Sequence, residues 1–207
     1  VISYATEQLT TDESGKVEFK PAVPTFSANT SVTFYPTPVS SSSAIVQAAF
    51  AESVQAPYKV RTDMIYQQGI IYVFDFNSNG TVGRNSFKVL QELRNRGMNV
   101  GNSPISSTSY YSRPLNDLYK ATYDMIGNSV RFMIFGAVKF ATPVEQTEDG
   151  VQVTLTSDIT CVDMRNGESI FQTTLTESAK DKNEWTATEN CKTKLAEKIS
   201  EAIIYGM

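Results

Sequence analysis

The chain has 207 residues, a hydrophobic content of 41% and a formal charge of -4, with Lys and Arg scattered rather than clustered. That length supports one substantial core with at most a small appendage, and the acidic, unclustered charge argues against nucleic acid as a partner. No apolar run reaches the roughly 18 to 20 residues that cross a bilayer as a helix, and the lack of any His removes Ser-His and Cys-His nucleophile pairs and His-containing metal sites.

Residues 1 to 43 are rich in Thr, Ser and Pro, with short alternating pieces at Lys16 to Lys20 and Ser31 to Tyr35. Such a stretch cannot bury a core of its own, so it reads as an extended arm, partly disordered or laid along the edge of the main sheet. The chain opens at Val1 with no initiator Met, as expected after removal of a signal segment by processing or cloning. Residues 44 to 207 are expected to form a single α+β domain. It begins with a short helix in which Ile45, Val46, Ala49, Phe50 and Val54 recur at helical spacing until Pro57, with that stripe facing a core.

Ile70 to Phe76 is apolar on both faces and bounded by Gly69 and Asn77-Ser78-Asn79-Gly80, which predicts a central strand covered on both sides. A helix from about Arg84 to Arg96 follows, with Phe87, Leu90 and Leu93 inward and Gly97 as its C-cap. Met98 to Val100 is then a short strand parallel to the first. The loop Gly101 to Ser112 carries Tyr110 and Tyr111, candidate partner-binding residues; packing over the sheet edge is the favoured alternative. Pro114 opens a helix whose buried face is Leu115, Leu118, Tyr119, Thr122, Met125 and Ile126. Val130 to Phe140 is another strand, and the acidic link Pro143 to Gly150 leads on from it.

Val151, Val153, Leu155, Ile159 and Cys161 fall on one side of an alternating run, Asn166-Gly167 turns, and Ile170, Phe171 and Leu175 begin the return. This is a β-hairpin with one buried face. The helix after it, from about Trp185 to Tyr205, carries Ala187, Cys191, Leu195, Ile199, Ala202 and Ile203 on its apolar side. Cys161 lies on the inner face of the strand and Cys191 on that of the helix, so the two are expected to form a disulfide in an oxidising compartment. The alternative is two unpaired core thiols. The fold class is α+β: a mixed β-sheet with helices packed on it, in the order strand, helix, strand, helix, three-strand meander, C-terminal helix.

No catalytic, cofactor-binding or metal-binding set emerges. Asp158, Asp163 and Glu168 lie near a turn without calcium-loop spacing. Gly80 and Gly83 invite a phosphate-loop reading, but the Lys-Ser/Thr of a nucleotide loop and the three-glycine fingerprint are absent. Asp75, the one acid of the central strand, is expected to cap the Asn77 to Thr81 loop through backbone hydrogen bonds rather than to catalyse.

Three stretches together resemble a family. Ile71-Tyr72-Val73-Phe74-Asp75-Phe76-Asn77 is similar to a first strand ending in a polar turn, and Phe132 to Lys139, with Gly136, to the strand before a late hairpin. In that hairpin Val151-Gln152-Val153-Thr154-Leu155 leads through Cys161-Val162-Asp163-Met164 to Asn166-Gly167-Glu168-Ser169-Ile170-Phe171. The pattern resembles the bacterial envelope lipoproteins that include the curli-secretion lipoprotein, the activator of penicillin-binding proteins and small flagellar outer-membrane proteins. The links Thr142 to Gly150 and Arg165 to Gly167 are too short to cross a bilayer, which disfavours a pore. There is also no lipid-bearing Cys at the start, so membrane association is expected only through an anchor or partner the sequence does not display.

The resemblance implies a non-catalytic periplasmic or outer-membrane-associated scaffold that docks on an envelope protein complex of the flagellar, pilus or secretion kind, with homo-oligomers as a further possibility. A sheet edge, the Tyr110 and Tyr111 loop or the N-terminal arm would supply the contact. The alternative is a periplasmic activator that binds and regulates a cell-wall synthase. An enzyme would need two convergent acids, which the spacing does not offer.

Overall fold

The computed structural model describes residues 6–21 and 27–207, and the chain divides into two compact units, Val1–Val60 and Arg61–Met207. Residues 1–5 and 22–26 of the expected arm lie outside the described residues. The first unit holds β1 (Ala28–Phe34), α1 (Ser43–Ala51) and β2 (Val54–Val60). β1 and β2 pair antiparallel in a two-stranded sheet of their own, with Ala28 opposite Val60 and Phe34 opposite Val54. Strand alternation then puts Ala28, Val32, Phe34, Val54, Ala56, Tyr58 and Val60 on one face and the more polar Asn29, Ser31, Thr33, Gln55 and Lys59 on the other.

Several expectations for this region change. The extended segment pairs with β2 rather than with the main sheet, and the units part after Val60 instead of at 43/44 because β2 is the hydrogen-bonding partner of β1. The helix ends at Ala51, and Pro57 sits inside β2, tolerated because both strands of a two-stranded ribbon are edges. No residue of α1 is buried; Phe50 instead stacks on Tyr35 at 4.4 Å between ring centroids.

The second unit continues with β3 (Gly69–Phe76), β4 (Val82–Asn85), α2 (Phe87–Asn95), β5 (Val100–Asn102), α3 (Leu115–Ile126) and β6 (Phe132–Phe140). It ends with β7 (Glu145–Thr147), β8 (Gly150–Asp163), β9 (Ser169–Asp181) and α4 (Glu184–Gly206). Seven strands form one sheet with the path β4-β3-β6-β8-β7, β5 joining β3 and β9 joining β8. β3 runs parallel to β5 and β6, and the other pairings are antiparallel. This is the α+β mixed sheet expected from the pattern, with β3 to α2 to β5 as the parallel crossover.

The sheet has a core on each face. On one, Ile71 and Val73 of β3, Ile134 of β6 and Val153, Leu155, Ile159 and Cys161 of β8 are buried with α2 and α4. On the other, Ile70, Tyr72, Phe74 and Met133 are buried with Leu118 of α3, Ile105 and Met164. The continuous apolar run of β3 is therefore a consequence of cover on both sides. Asn183 starts α4 by accepting the Thr186 N–H at 3.0 Å.

The sequence pattern misplaced two short strands and two side chains. Val82–Asn85 is β4, which returns along β3 as a hairpin arm, so α2 begins later and leaves Phe87 67% exposed. Its inward residues are Val89, Leu90 and Leu93. Gly83 permits the hairpin because a Cβ there would meet the Asp75 carbonyl. The acidic link contains β7, and Met125 of α3 is 60% exposed.

The expected disulfide is absent: Cys161 and Cys191 are both buried free thiols. The reason lies in the different rises of strand and helix. Cys191 lies 3.2 Å from the carbonyl oxygen of Glu177, and Glu177 is the register partner of Leu155. Cys161 is opposite Phe171, and from Leu155 to Cys161 the strand advances about 20 Å. α4 reaches that level only near Gly206, which abuts the Phe171 ring. The two sulfurs face one core at different heights, well beyond the roughly 7 Å between Cα atoms that a disulfide allows.

Two measurements check this packing. Denaturation in an alkylating reagent without reductant adds two adducts per chain by mass, whereas native protein reacts slowly because burial raises both thiols above their ordinary pKa; no adducts after denaturation would restore the bond. Gly136→Ala costs about 2 to 4 kcal/mol in denaturant unfolding, because its Cβ would run into the Asp158 carbonyl of β8.

Candidate docking surface

The second face of the sheet is only partly covered, and its exposed margin starts at the tyrosine loop. Tyr110 and Tyr111 lie in a short 3₁₀ turn over Thr108–Ser112, anchored where the Tyr72 hydroxyl donates to the Ser107 carbonyl. Both are half-buried. Tyr111 meets Phe76 edge-on at 5.0 Å and Phe135 at 6.2 Å. Lys139 extends over both Tyr111 and Phe76, at 4.9 Å and 5.2 Å from the ring centroids. Tyr110 packs on the second core, with Arg113 over its ring at 4.8 Å. The loop tyrosines are thus joined to the sheet, as the alternative in the sequence reading had it. Lys139, the cation of β6 at this cluster, was missed; a lone Lys in an apolar strand was its available signal.

Beyond α3 the same face carries the polar side of β8 and β9. Thr154 pairs with Ser178 at 2.9 Å, Thr156 with Thr176 at 3.2 Å, and Thr174 donates to Asp158 at 2.9 Å. β9 itself pairs only with β8 among the described residues. The Leu175 carbonyl accepts from Thr156 and Ser157 on β8, so the alternation of an antiparallel ladder points the backbone groups of Thr174 and Thr176 to the open side. From Ile170 to Thr176 this 13-residue strand has neither a charge nor a Pro. Those are the usual devices that block further pairing at an edge.

Asp75 does not cap the loop that follows it. Its Oδ2 is 3.1 Å from Lys192 Nζ on α4, while Oδ1 is buried with no partner among the described residues. The loop closes on itself through Asn77 to Thr81 at 2.8 Å and Asn79 to the Thr81 N–H at 3.0 Å. It joins β3 to β4, so the glycines Gly80 and Gly83 form a hairpin rather than a phosphate loop opening a helix. Among the described residues no group of three or more His, Cys, Asp or Glu could hold a metal ion, and no helix is long and apolar enough to cross a membrane.

A buried ion cluster closes the β8–β9 turn. Asp163, 4% exposed, receives Arg131 on Oδ1 and Arg165 on Oδ2 at 3.0 Å, and its Oδ1 also accepts the Arg165 N–H at 2.9 Å. Asn166 and Glu168 complete the turn, the Glu168 N–H reaching Asn166 Oδ1 at 3.0 Å, and Gly167 takes a φ of 77°. Burial works to raise the Asp163 carboxyl, but hydrogen bonds from Arg165 and Arg131 outweigh it and hold the pKa at about 2. The turn was legible as Asn-Gly; the ion cluster was not, because Arg131 is distant in sequence.

Residues 68–204, from just before β3 into α4, match the family described as TP0693-like lipoprotein, C-terminal domain. The chain belongs to this family. The TP0693-like assignment makes it a member of a lipoprotein family and assigns it to the bacterial envelope. The narrower likeness to curli-secretion, penicillin-binding-protein-activating or flagellar proteins remains a resemblance of short motifs. Among curated proteins none matches the chain. Solved structures similar to it include the PelC dodecamer from Paraburkholderia phytofirmans, at 11% identity over 81% of this chain and 96% of that one, with a TM-score of 0.43. The lipoprotein GNA1162 from Neisseria meningitidis is similar at 12% identity over 66% and 96%, TM-score 0.39. A minor lipoprotein from Acinetobacter baumannii is similar at 12% identity over 67% and 93%, TM-score 0.40.

The cluster in this TP0693-like domain has a pH signature. Because the folded carboxyl lies below its unfolded value near 4, Asp163 contributes roughly 2 kcal/mol above that pH and loses it as pH falls from about 4 through about 2. The stability gap between wild type and Asp163→Asn, measured by denaturant unfolding, therefore narrows over that window; a gap constant from pH 5 to pH 2 would contradict it.

Proposed function

We propose that this protein is a non-catalytic accessory component of a bacterial envelope assembly, and that it works by taking an extended segment of another envelope protein onto the open edge of β9. The observation that carries this reading is the edge itself: 13 residues long, paired on one side among the described residues and uncharged along its first half. An added strand gains affinity from backbone hydrogen bonds and specificity from alternate side chains. The Thr-rich face of β8 and β9 would give such a strand hydroxyl partners, and the Tyr111, Phe76 and Lys139 cluster lies on the same side of the sheet. Membership of a lipoprotein family supports an envelope setting.

Chemistry has weaker support. Asp75 is neutralised by Lys192, both thiols are buried, and Asp163 is held between two guanidinium groups. A flagellar, pilus or secretion assembly, at the periplasmic face or the outer membrane, is the setting this reading favours, with docking rather than turnover as the activity.

A photo-crosslinking residue at Thr174, expressed in the native cells, is expected to capture another envelope protein, while the same residue at exposed Glu148 is not. Joint substitution Thr174→Lys and Thr176→Lys places charge on the edge and should cut the captured yield about tenfold while leaving the fold intact. Equal capture from both positions, or capture that the lysines leave unchanged, would overturn docking on β9. If the captured protein is a cell-wall synthase whose turnover rises on binding, the regulatory alternative takes its place.

A further inference from the structure

At the end of the sheet away from the β3–β4 hairpin, three loops meet. Gln67 and Gln68 precede β3, Asn128, Ser129 and Arg131 precede β6, and Arg165 comes from the β8–β9 turn; together they line a cleft of about 410 Å³. That volume lies in the range of small-ligand sites. Backbone hydrogen bonds fix the loops to one another: the Arg131 N–H donates to the Gln68 carbonyl at 2.7 Å, and the Met164 N–H to the Arg131 carbonyl at 3.0 Å.

Two cations face the cleft. Arg131 and Arg165 share the carboxylate of Asp163. Glu168, the other acid of that turn, is exposed and accepts from Asn166 at 2.7 Å. Arg131 uses only Nη1 on Asp163 and Arg165 uses Nε and Nη2, so Arg131 Nε and Nη2 and Arg165 Nη1 have no partner among the described residues. The Ser129 hydroxyl and the side-chain amides of Gln67, Gln68 and Asn128 are likewise unengaged there. Arg131 is held in place, its side chain 18% exposed, while Arg165 is 65% exposed and faces solvent.

We propose that this cleft is an anion site that takes a phosphate group, either as a free phosphate ester or as the headgroup of an anionic phospholipid. Arg131, held on Asp163 through Nη1, keeps its Nε–Nη2 fork free, and Arg165 adds Nη1, an arrangement that suits oxyanions. A phosphate offers more acceptor oxygens than a carboxylate, and so uses the hydroxyl and amide donors around the arginines as well. The guanidinium groups facing the cleft supply a local attraction that the protein as a whole, at -4, does not. The site is separate from β9 and stands whether or not the docking reading holds.

The full chain can be titrated with inorganic phosphate and with glycerol 3-phosphate, following amide resonances by NMR. Saturable shifts are expected at Gln68, Ser129 and Arg165. Arg165→Gln removes an exposed side chain and leaves the Arg131–Asp163 pair intact, so it should fold normally and weaken binding about tenfold or more; Ser129→Ala should weaken it several-fold. Flotation with phosphatidylglycerol vesicles against phosphatidylcholine vesicles distinguishes the sources. Recruitment to the former that glycerol 3-phosphate competes away assigns a lipid headgroup, and binding of glycerol 3-phosphate without recruitment assigns a soluble phosphate ester. Linear, non-saturating shifts, or variants that bind as wild type does, would overturn the site.

Discussion

The register of β8 is the constraint on which the second unit depends. β8 lies between β6 and β9, and Val151, Val153, Leu155, Ser157, Ile159 and Cys161 are buried in sequence along one face. A slip of one residue would turn that set outward and bring Gln152, Thr154 and Thr156 beneath α4. The helix reads the same face at its own period, with Ala187, Cys191, Leu195, Ile199 and Ile203 inward. Gly136 of β6 lets the two backbones approach, and Asp163 pins the end of the strand, so register is set at its middle and at its terminus.

Elements with a strong single period were legible. The β8–β9 hairpin, α4 and the doubly covered β3 follow from alternation, from helical spacing and from a continuous apolar run. β4 was lost because Val82 and Gly83 sit directly before a helical pattern, and four residues are too few for a period of two to register against one of 3.6. The spacing of Phe87 to Leu90 fits an inward helix face, but α2 starts at Phe87, where the chain has only just left β4. β2 was hidden by Pro57, which reads as a break unless the strand has an open side. The disulfide failed for a different reason: sequence gives the face on which a residue lies but not its height along the element. Strand and helix advance at about 3.3 Å and 1.5 Å per residue, so facing residues do not meet unless their positions match in both.

The candidate surface was less legible than the fold. Tyr110 and Tyr111 could be located in a loop, yet their contacts with Phe76, Phe135 and Lys139 depend on three separate elements meeting. Arg131, Asp163 and Arg165 have the same character: each is an ordinary charge at a strand end, and only the parallel alignment of β3 with β6 and the antiparallel return of β8 bring them together. Asp75 was recognised as unusual for an apolar strand, but its partner Lys192 lies over a hundred residues away in sequence on α4.

An open edge and an ion cluster around a buried carboxylate make different demands on the β8–β9 hairpin. The cluster fixes the end of β8 at the cost of desolvating Asp163 and much of Arg131, and that cost is recovered only if their mutual geometry is maintained. β9 is held by its ladder to β8 and, in its second half, by the Glu177 pair with Lys198 of α4 at 2.9 Å. Its inward residues, Phe171, Leu175 and Ala179, tie it to α4, while Gln172, Thr174, Thr176 and Ser178 leave the opposite face solvated and hydroxyl-rich. A strand held firmly on one face and left polar on the other stays soluble without a partner, because water can satisfy its outer backbone groups. It still presents a straight ladder that another chain can complete at little conformational cost to this one. The open edge along β9 and the arginines at the β8–β9 turn therefore draw on different groups of the hairpin, so what one exposes the other does not consume.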